Sequence, residues 1–411
     1  MLRLYNSMTQ DIEIFEPTEH GKVKMFTCGP SIYQPAHLGN YRTFLFEDIL
    51  LRYLEYSGYD VERTLNFTDI EDKTISEAKK NLTDIFSLTN SCAAKFFMDI
   101  TALEIKKPTH NPRSSTSVDM AVKIIERLLQ NGHAYVYKGN IYFDLRSFKN
   151  FGRLGHLKSS DWPAKMRRFH KDTYPGSNWN IGDFVLWHGN RNETGLSWES
   201  SIGRGRPSWN IQDPAMVCDT LGPTVDIWCG GEDNLVRHHD YNIAIMESAT
   251  GKTLSHYWLH GAHLLVEGKK MSKSRGNVIY PENLIANGYS GKEVRFFLIY
   301  GHYRKRLNFT LKAMEQRTQH LRNLVNSIEK LKSESSGKSV EDHKASGLIK
   351  EIVPTFNRHM DDDLNVHSAF DSLETSIQEL ADVHEEGMLG KGSIEDLVFA
   401  ISQVNNVLRV L

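Results

Sequence analysis

The chain has 411 residues, 40% apolar and 24% charged, so it can bury a sizeable core, and disorder as its main state is excluded. At roughly 100–200 residues per domain, one small module is too little. Forty-nine basic and 51 acidic side chains leave a net charge of −2, so a polyanion must be met by a local patch and not by a global field. Cys28, Cys92, Cys218 and Cys229 are widely spaced and form no CxxC pair, which argues against a disulfide framework and for a reducing, cytoplasmic compartment. No run of about 18 apolar residues occurs, and Met1 to Pro17 mixes charged, amide and apolar residues; neither export nor membrane insertion is expected.

In chain order, Lys22 to Thr27 reads as a strand, Cys28-Gly29-Pro30 breaks it, and Tyr41 to Tyr53 has helical periodicity. Asp60 to Phe67 is a second strand candidate, ending in polar Thr68 and Asp69. Strand, crossover helix, strand is the unit of parallel sheets, which bind ligands beyond the carboxyl ends of their strands. From Ser115 to Gln130 the spacing of Val118, Ala121, Ile124, Ile125 and Leu128 predicts an amphipathic helix. Ala134 to Tyr137 and Asn140 to Asp144 read as a hairpin closed by Lys138-Gly139.

Lys158 to Asn180 is polar, with basic Lys165, Arg167, Arg168, His170 and Lys171 among Trp162, Phe169 and Tyr174. It suits either an RNA acceptor end or a solvated loop. Thr224 to Trp228 and His256 to Val266 return to strand character. After Phe309, Leu311, Met314, Leu321, Leu324, Ile328 and Leu331 recur at helical spacing, and Ile352 to Glu385 and Ile394 to Leu411 repeat that style. Ser333 to Lys338 reads as a solvated linker. The expected architecture is α/β: a Rossmann-like parallel-sheet catalytic domain (1–125 and 216–307), a connective insertion (126–215) and a C-terminal α-helical bundle (308–411).

Three motifs carry chemistry. His37-Leu-Gly39-Asn40 follows a broken strand and opens a helix, where a histidine and backbone donors face an anion site. Lys270-Met-Ser272-Lys273-Ser274 sets two lysines three apart in a Ser/Gly-rich segment, suited to following a polyphosphate as its charge redistributes. Gly230-Gly231 with Asp233 lies just after a strand, where glycine permits close approach of a nucleotide and the carboxylate can accept from ribose hydroxyls or an ammonium.

The first two motifs resemble the H-x-G-H and K-M-S-K-S signatures of class I aminoacyl-tRNA synthetases. Thr27-Cys-Gly-Pro-Ser-Ile-Tyr33, Asn66-Phe-Thr-Asp-Ile-Glu-Asp-Lys73, Phe184-Val-Leu-Trp187, Gly205-Arg-Pro-Ser-Trp209, His238-His239, Val294-Arg-Phe-Phe-Leu298 and Met360-Asp-Asp-Asp-Leu-Asn365 narrow the resemblance to cysteinyl-tRNA synthetases. The resemblance implies amino-acid activation by ATP with Mg2+, and transfer to tRNA. His37 and Asn40 would donate to the phosphates, Lys270 and Lys273 would hold the departing pyrophosphate, and Gly29, Gly39, Gly230, Gly231, Asp233, His263, Leu265 and Ser272 would line the nucleotide. Asn40 replaces the family's second histidine: it can donate a hydrogen bond but carries no charge.

Cysteinyl-tRNA synthetases select their substrate with zinc (Zn2+) held by two Cys, one His and one Glu, a soft-metal match to the substrate thiolate. Carried across, Cys28 and His238 are retained, Asp213 stands for the second cysteine and Asn242 for the glutamate. Cys28, Asp213 and His238 can still ligate a metal, whereas neutral Asn is a poor ligand; Cys218 and Cys229 are alternative recruits. The pattern suggests a changed amino-acid pocket of Thr68, Trp209, Asp213 and Asn242, with Asp213 attracting an ammonium or hydroxyl on the substrate. Cys229 replaces a family glycine, so a side chain is expected to intrude there. The chain stops at Leu411, where family members usually continue into an anticodon-binding domain. Three readings stand: a cysteinyl-tRNA synthetase-like ligase, an adenylate-forming ligase acting on a small amine or carrier protein as in the cysteine ligase of mycothiol synthesis, and a non-catalytic regulatory paralogue.

Overall fold

A short antiparallel hairpin, β1 (Arg3–Asn6) and β2 (Asp11–Ile14), precedes β3 (Lys22–Thr27) in the computed structural model, which describes residues 1–157, 182–189, 196–272, 275–333, 343–385 and 389–411. Met25 and Phe26 of β3 point to opposite faces and are both buried, which is the signature of a strand covered on each side. Helix α1 (Leu38–Tyr56) crosses over to β4 (Asp60–Leu65), which pairs parallel with β3. α1 is longer at both ends than its periodicity suggests; at its start His37 caps it four residues before Tyr41.

Helices α2 (Asp72–Lys80), α3 (Ile85–Ala102) and α4 (Val118–Gln130) follow. Then come β5 (Ala134–Tyr137) and β6 (Asn140–Phe143), joined by Lys138 and Gly139, both at positive φ as a two-residue hairpin turn requires. β7 (Phe184–Gly189) and β8 (Gly205–Pro207) complete a four-stranded antiparallel sheet in the order β5-β6-β7-β8. The basic and aromatic residues between Trp162 and Tyr174 lie outside the described residues. α4 and α5 (Trp209–Thr220) run across the limits expected for the insertion, so residues 126 and 215 fall inside helices.

β9 (Val225–Gly231), α6 (Asp240–Thr250) and β10 (Ser255–Gly261) form the second strand, helix, strand unit, giving the parallel order β10-β9-β3-β4. The stretch expected as one strand from His256 to Val266 is two. After Gly261 the chain leaves this sheet, and β11 (Leu264–Val266) pairs with β12 (Lys269–Lys270) and, after α7 (Pro281–Ala286) and α8 (Gly291–Ile299), with β13 (Leu307–Phe309). Helices α9 (Leu311–Ser333), α10 (His343–Met360), α11 (Val366–Glu385) and α12 (Lys391–Leu408) form the C-terminal helical region. Most of the linker expected at Ser333 to Lys338 lies outside the described residues. Among the described residues no helix is long and apolar enough to cross a membrane.

Two apolar clusters sandwich the parallel sheet. One joins Met25, Ile227 and Leu259 to α1 and the C-terminal helices; the other joins Phe26, Trp228 and Trp258 to α4, α5, α6 and the antiparallel sheet. Asp361, Asp362 and Asp363 sit at the α10–α11 junction and clasp the N-terminus. Met1 N donates to Asp361 and Arg3 to Asp362, while Asp363 accepts from Tyr5 N, Tyr303 and Arg304.

Asp48 of α1 is the polar centre of the first cluster. It is wholly buried and accepts from Arg295 Nη2 at 2.6 Å, Arg52 Nε at 2.8 Å and Lys106 N at 2.7 Å. Arg295 also donates to Leu408, Leu103 and Glu104 carbonyls, tying α8, α12 and α3's exit to α1. Burial alone would raise the Asp48 pKa, but the two guanidinium groups and the Lys106 N–H outweigh it and hold the carboxyl below its ordinary value. Asp48→Ala strands Arg295 and is expected to cost about 3–5 kcal/mol in urea unfolding. Because the folded pKa lies below the unfolded one, near 3.9, this stabilisation is complete above that value and is lost as pH falls through the folded pKa. Acid unfolding of Asp48→Ala should therefore lack that component.

Candidate active site

β3 hands its chain to β4 on one side and β9 hands its chain to β10 on the other, so the gap between the carboxyl ends of β3 and β9 is the switch point where such sheets bind ligands. A cavity of about 350 Å³ opens there. Its floor is Cys28-Gly29 after β3 and Gly231 after β9, with His37 and Asn40 of α1, Asp233, and the Trp209 and His238 rings around it.

Asn66, just past β4, organises the floor. It is wholly buried; its side-chain oxygen accepts from Gly29 N at 2.8 Å and its NH2 donates to Asp213 Oδ1 at 2.9 Å. Asp213 Oδ2 in turn accepts from His238 Nε2 at 2.7 Å and from the Cys28 thiol at 3.5 Å. The three residues expected as metal ligands are thus brought together, one ligand atom of each within 4.8 Å of the others. Trp209 stacks on His238, with centroids 4.0 Å apart and planes 10° off parallel. His238 is the penultimate residue of a π-helical turn, Leu235–His239, an uncommon geometry that accompanies functional sites.

His37 and Asn40 form a reciprocal cap: Asn40 N donates to His37 Nδ1 at 3.3 Å, and His37 N donates to Asn40 Oδ1 at 3.0 Å. The cap engages the amide oxygen and leaves the NH2 as the Asn40 donor. A Cβ on Gly39 would come within 3.1 Å of the His37 ring, so glycine there makes room for the histidine. Across the opening, Lys270 Nζ lies 3.9 Å from Asp233 Oδ2. The start of the lysine loop is held by Asn277, which accepts from Ser272 N at 2.9 Å, and by Arg275, which donates to Lys270 O. Lys273 and Ser274 lie outside the described residues.

Other expected residues sit elsewhere. Leu265 is on β11, paired with Lys270; His263 N donates to Glu232 at 3.2 Å. Gly230 does not line the cavity: a Cβ there would meet His239 Cε1 at 2.7 Å, so a protein ring and not a nucleotide demands that glycine. Cys229 does not intrude either; its side chain alternates into the apolar cluster under α1. Neither Cys229 nor Cys218 joins the Cys28 group. Asp213 is 1% exposed with both oxygens engaged, so it backs the pocket and does not face it. Asn242 is wholly buried on α6 without a partner for its amide oxygen or nitrogen, and lies outside the cavity lining. Thr68 does line it, held by Pro30 and Ile32 backbone. Sequence reasoning missed Asn66, Asn234 and Lys73; the Asn66 to Lys73 motif was the signal, but spacing did not show that its first residue would reach Asp213.

Burial, and then the Asp213 carboxylate, push the Cys28 thiol well above its ordinary pKa. Behind the pocket His239 Nδ1 and His260 Nε2 are 2.9 Å apart, and His260 Nδ1 is 2.8 Å from Ser7 Oγ. Burial lowers both histidines, His260 to about 3, so this row is uncharged at neutral pH. Glycine is obligatory at 29: a Cβ would stand 1.8 Å from Asn66 O. Gly29→Ala must displace the end of β4 and is expected to lower stability by about 1–3 kcal/mol in urea unfolding. Gly347→Ala, where a Cβ meets nothing within 4 Å on α10, should gain about 0.5–1 kcal/mol in the same assay.

Comparison with known proteins agrees with this geometry. Residues 14–319 match the family model for the catalytic domain of tRNA synthetases class I (C). Cysteine–tRNA ligase of Chlamydia pneumoniae is 36% identical over 413 residues, covering 100% of this chain and 86% of that protein. That of Brachyspira hyodysenteriae is 36% identical over 410 residues, covering 98% and 85%. Among solved structures, Mycobacterium tuberculosis methionyl-tRNA synthetase bound by methionyl-adenylate superposes with a TM-score of 0.67 at 14% identity, over 95% of this chain and 90% of that one, a likeness of fold. With the family model covering most of its length and full-length relatives above a third identical, the chain belongs to the class I tRNA synthetases, in the cysteine–tRNA ligase branch.

Proposed function

We propose that this chain activates an amino acid, cysteine or a close analogue, with ATP and esterifies it to tRNA. One observation carries the reading: the capped His37-Asn40 turn lines the cavity at the β3–β9 switch point, and Lys270 reaches to within 3.9 Å of Asp233 on its rim. A carboxylate oxygen of the amino acid attacks the α-phosphorus of ATP, the bond from that phosphorus to the bridging oxygen breaks, and pyrophosphate leaves. In the second step a ribose hydroxyl of the tRNA terminus attacks the acyl carbon, giving the ester and AMP. The protein's part is positioning and charge stabilisation.

In this reading the NH2 of Asn40 and the outward nitrogen of His37 donate to the phosphates, the latter when that nitrogen is protonated. Lys270 and Lys273 neutralise the leaving pyrophosphate, and Asp233, freed from Lys270 when the lysine turns to phosphate, accepts from the ribose or the substrate ammonium. Mg2+ arrives with the ATP, bound mainly to its phosphates. The pocket walls, Trp209, Thr68 and His238, enclose the amino-acid side chain.

Exchange of pyrophosphate into ATP, run with each amino acid in turn, tests the first step, and charging of total tRNA tests the second. Lys270→Ala and Lys273→Ala should each depress exchange by about 100–1,000-fold with an unchanged circular dichroism spectrum. Absence of exchange with every amino acid would reject the enzyme reading. Strong exchange without charged tRNA would move the acceptor to a small amine or carrier protein.

A further inference from the structure

We infer that the side-chain pocket works without zinc and, in place of a thiolate, reads a small uncharged side chain through the hydrogen-bonded group Cys28, Asp213 and His238. The inference rests on the amino-acid-activating reading above and names the substrate class of the same pocket.

Three observations exclude a good zinc site. First, His238 Nε2 and Asp213 Oδ2 are 2.7 Å apart. Two ligands on one tetrahedral zinc, at bond lengths near 2.0 Å, stay about 3.3 Å apart, whereas 2.7 Å is the length of an N–H donating to a carboxylate. Second, the imidazole offers no workable tautomer. Were zinc on Nε2, the proton would move to Nδ1, which is buried and has no hydrogen-bond partner; metal-bound histidines give that proton to an acceptor. Were zinc on Nδ1, Nε2 would still donate to Asp213 and the carboxylate would orient the ring, leaving Cys28 and His238 as the only two protein ligands. Third, the residue that replaces the family's fourth ligand, Asn242, is a neutral amide with neither polar atom partnered, outside the cavity lining.

The hydrogen-bonded alternative partners Asp213, His238 Nε2 and the Cys28 thiol and leaves His238 Nδ1 as an unprotonated acceptor. Asp213 takes Asn66 on one oxygen and His238 with Cys28 on the other, which is a full set for a buried carboxylate. The surface left to the substrate is the Cys28 thiol, the Trp209 and His238 rings, Thr68 and Asn234, whose Nδ2 lies 3.8 Å from Cys28 Sγ. Lys73, which also lines the cavity, has its ammonium 5.9 Å from the Tyr33 ring centre; none of the groups around Cys28 just named carries a fixed positive charge, and Asp213 stands directly behind them. A substrate thiolate would meet repulsion there where zinc would have attracted it. A neutral thiol, hydroxyl or methyl meets no such cost, and discrimination among them falls to shape, about 10–200-fold.

Zinc content and zinc titration of the whole chain, expressed in zinc-supplemented medium, test the first half. The expected result is zinc far below one per chain, with no change in unfolding temperature on adding zinc or a chelator. The Asp213→Cys/Asn242→Glu double variant, its folding verified by circular dichroism, should take up one zinc per chain in the same medium. One tightly held zinc per wild-type chain, with a lower unfolding temperature after chelation, would overturn the inference. Pyrophosphate exchange tests the second half: kcat/KM for cysteine should lie within about 200-fold of that for serine or alanine, and a larger preference for cysteine would refute the loss of thiolate selection. If no amino acid supports exchange, the proposed activity fails, while zinc content still decides the metal question.

Discussion

The parallel pairing of β3 with β9, Met25 beside Ile227, Phe26 beside Trp228 and Thr27 beside Cys229, is the constraint on which the site depends. It is held by apolar burial on both faces. A slip of one residue would carry Met25 and Phe26 into each other's clusters, exchanging a flexible thioether for a ring that packs on Trp228, tilted by 54° with centroids 4.2 Å apart. With that register fixed, Cys28-Gly29 and Gly231 must end side by side, and because the two crossovers leave in opposite directions nothing of the sheet fills the gap between them. The cavity is therefore a product of topology, and the polar residues around it only tune what enters.

Much of this was legible in the sequence because it is local. Alternation marks β3, glycine and lysine at positive φ mark the β5–β6 turn, and the spacing of Met314, Leu321, Leu324 and Ile328 marks α9. The misreadings have equally definite causes. α1 starts earlier than its apolar repeat because His37, not one of the usual capping residues, closes its first turn with Asn40. His256 to Val266 has strand-like composition from end to end, and periodicity cannot show that the chain changes sheets at Ala262. Gly230 looked like a nucleotide contact, since a glycine's reason for being small is invisible without the ring, that of His239, which packs on it. Asp213 looked like a pocket residue, but its partner Asn66 lies 147 positions away in sequence, and no local pattern encodes that meeting.

The same long-range bond couples the two sides of the cavity floor. Asn66 bridges the two: it fixes Gly29 N on one side and Asp213 on the other. A carboxylate at 213 gives Asn66 an acceptor for its NH2, so the same side chain that fixes Gly29 N also fixes Asp213. Buried polar networks tolerate new members only when every group finds a partner, and here the cluster closes except at His238 Nδ1 and Asn242.

The two signature segments, more than two hundred residues apart, are also joined directly. Leu38 N, one of the first donors of α1, is spent on Ile279 O just beyond the lysine loop, and Asn40 N is spent on His37. The helix start therefore has fewer free N–H groups for an anion than a bare N-terminus offers. Under the proposed activation, phosphate stabilisation then falls chiefly to side chains, and with an uncharged amide at 40 the positive charge for it is assigned to the lysines. Under that proposal the Lys270–Asp233 contact is consequential: the carboxylate holds the lysine near the cavity, and a triphosphate, with more charge to offer, is the ligand that would take it away.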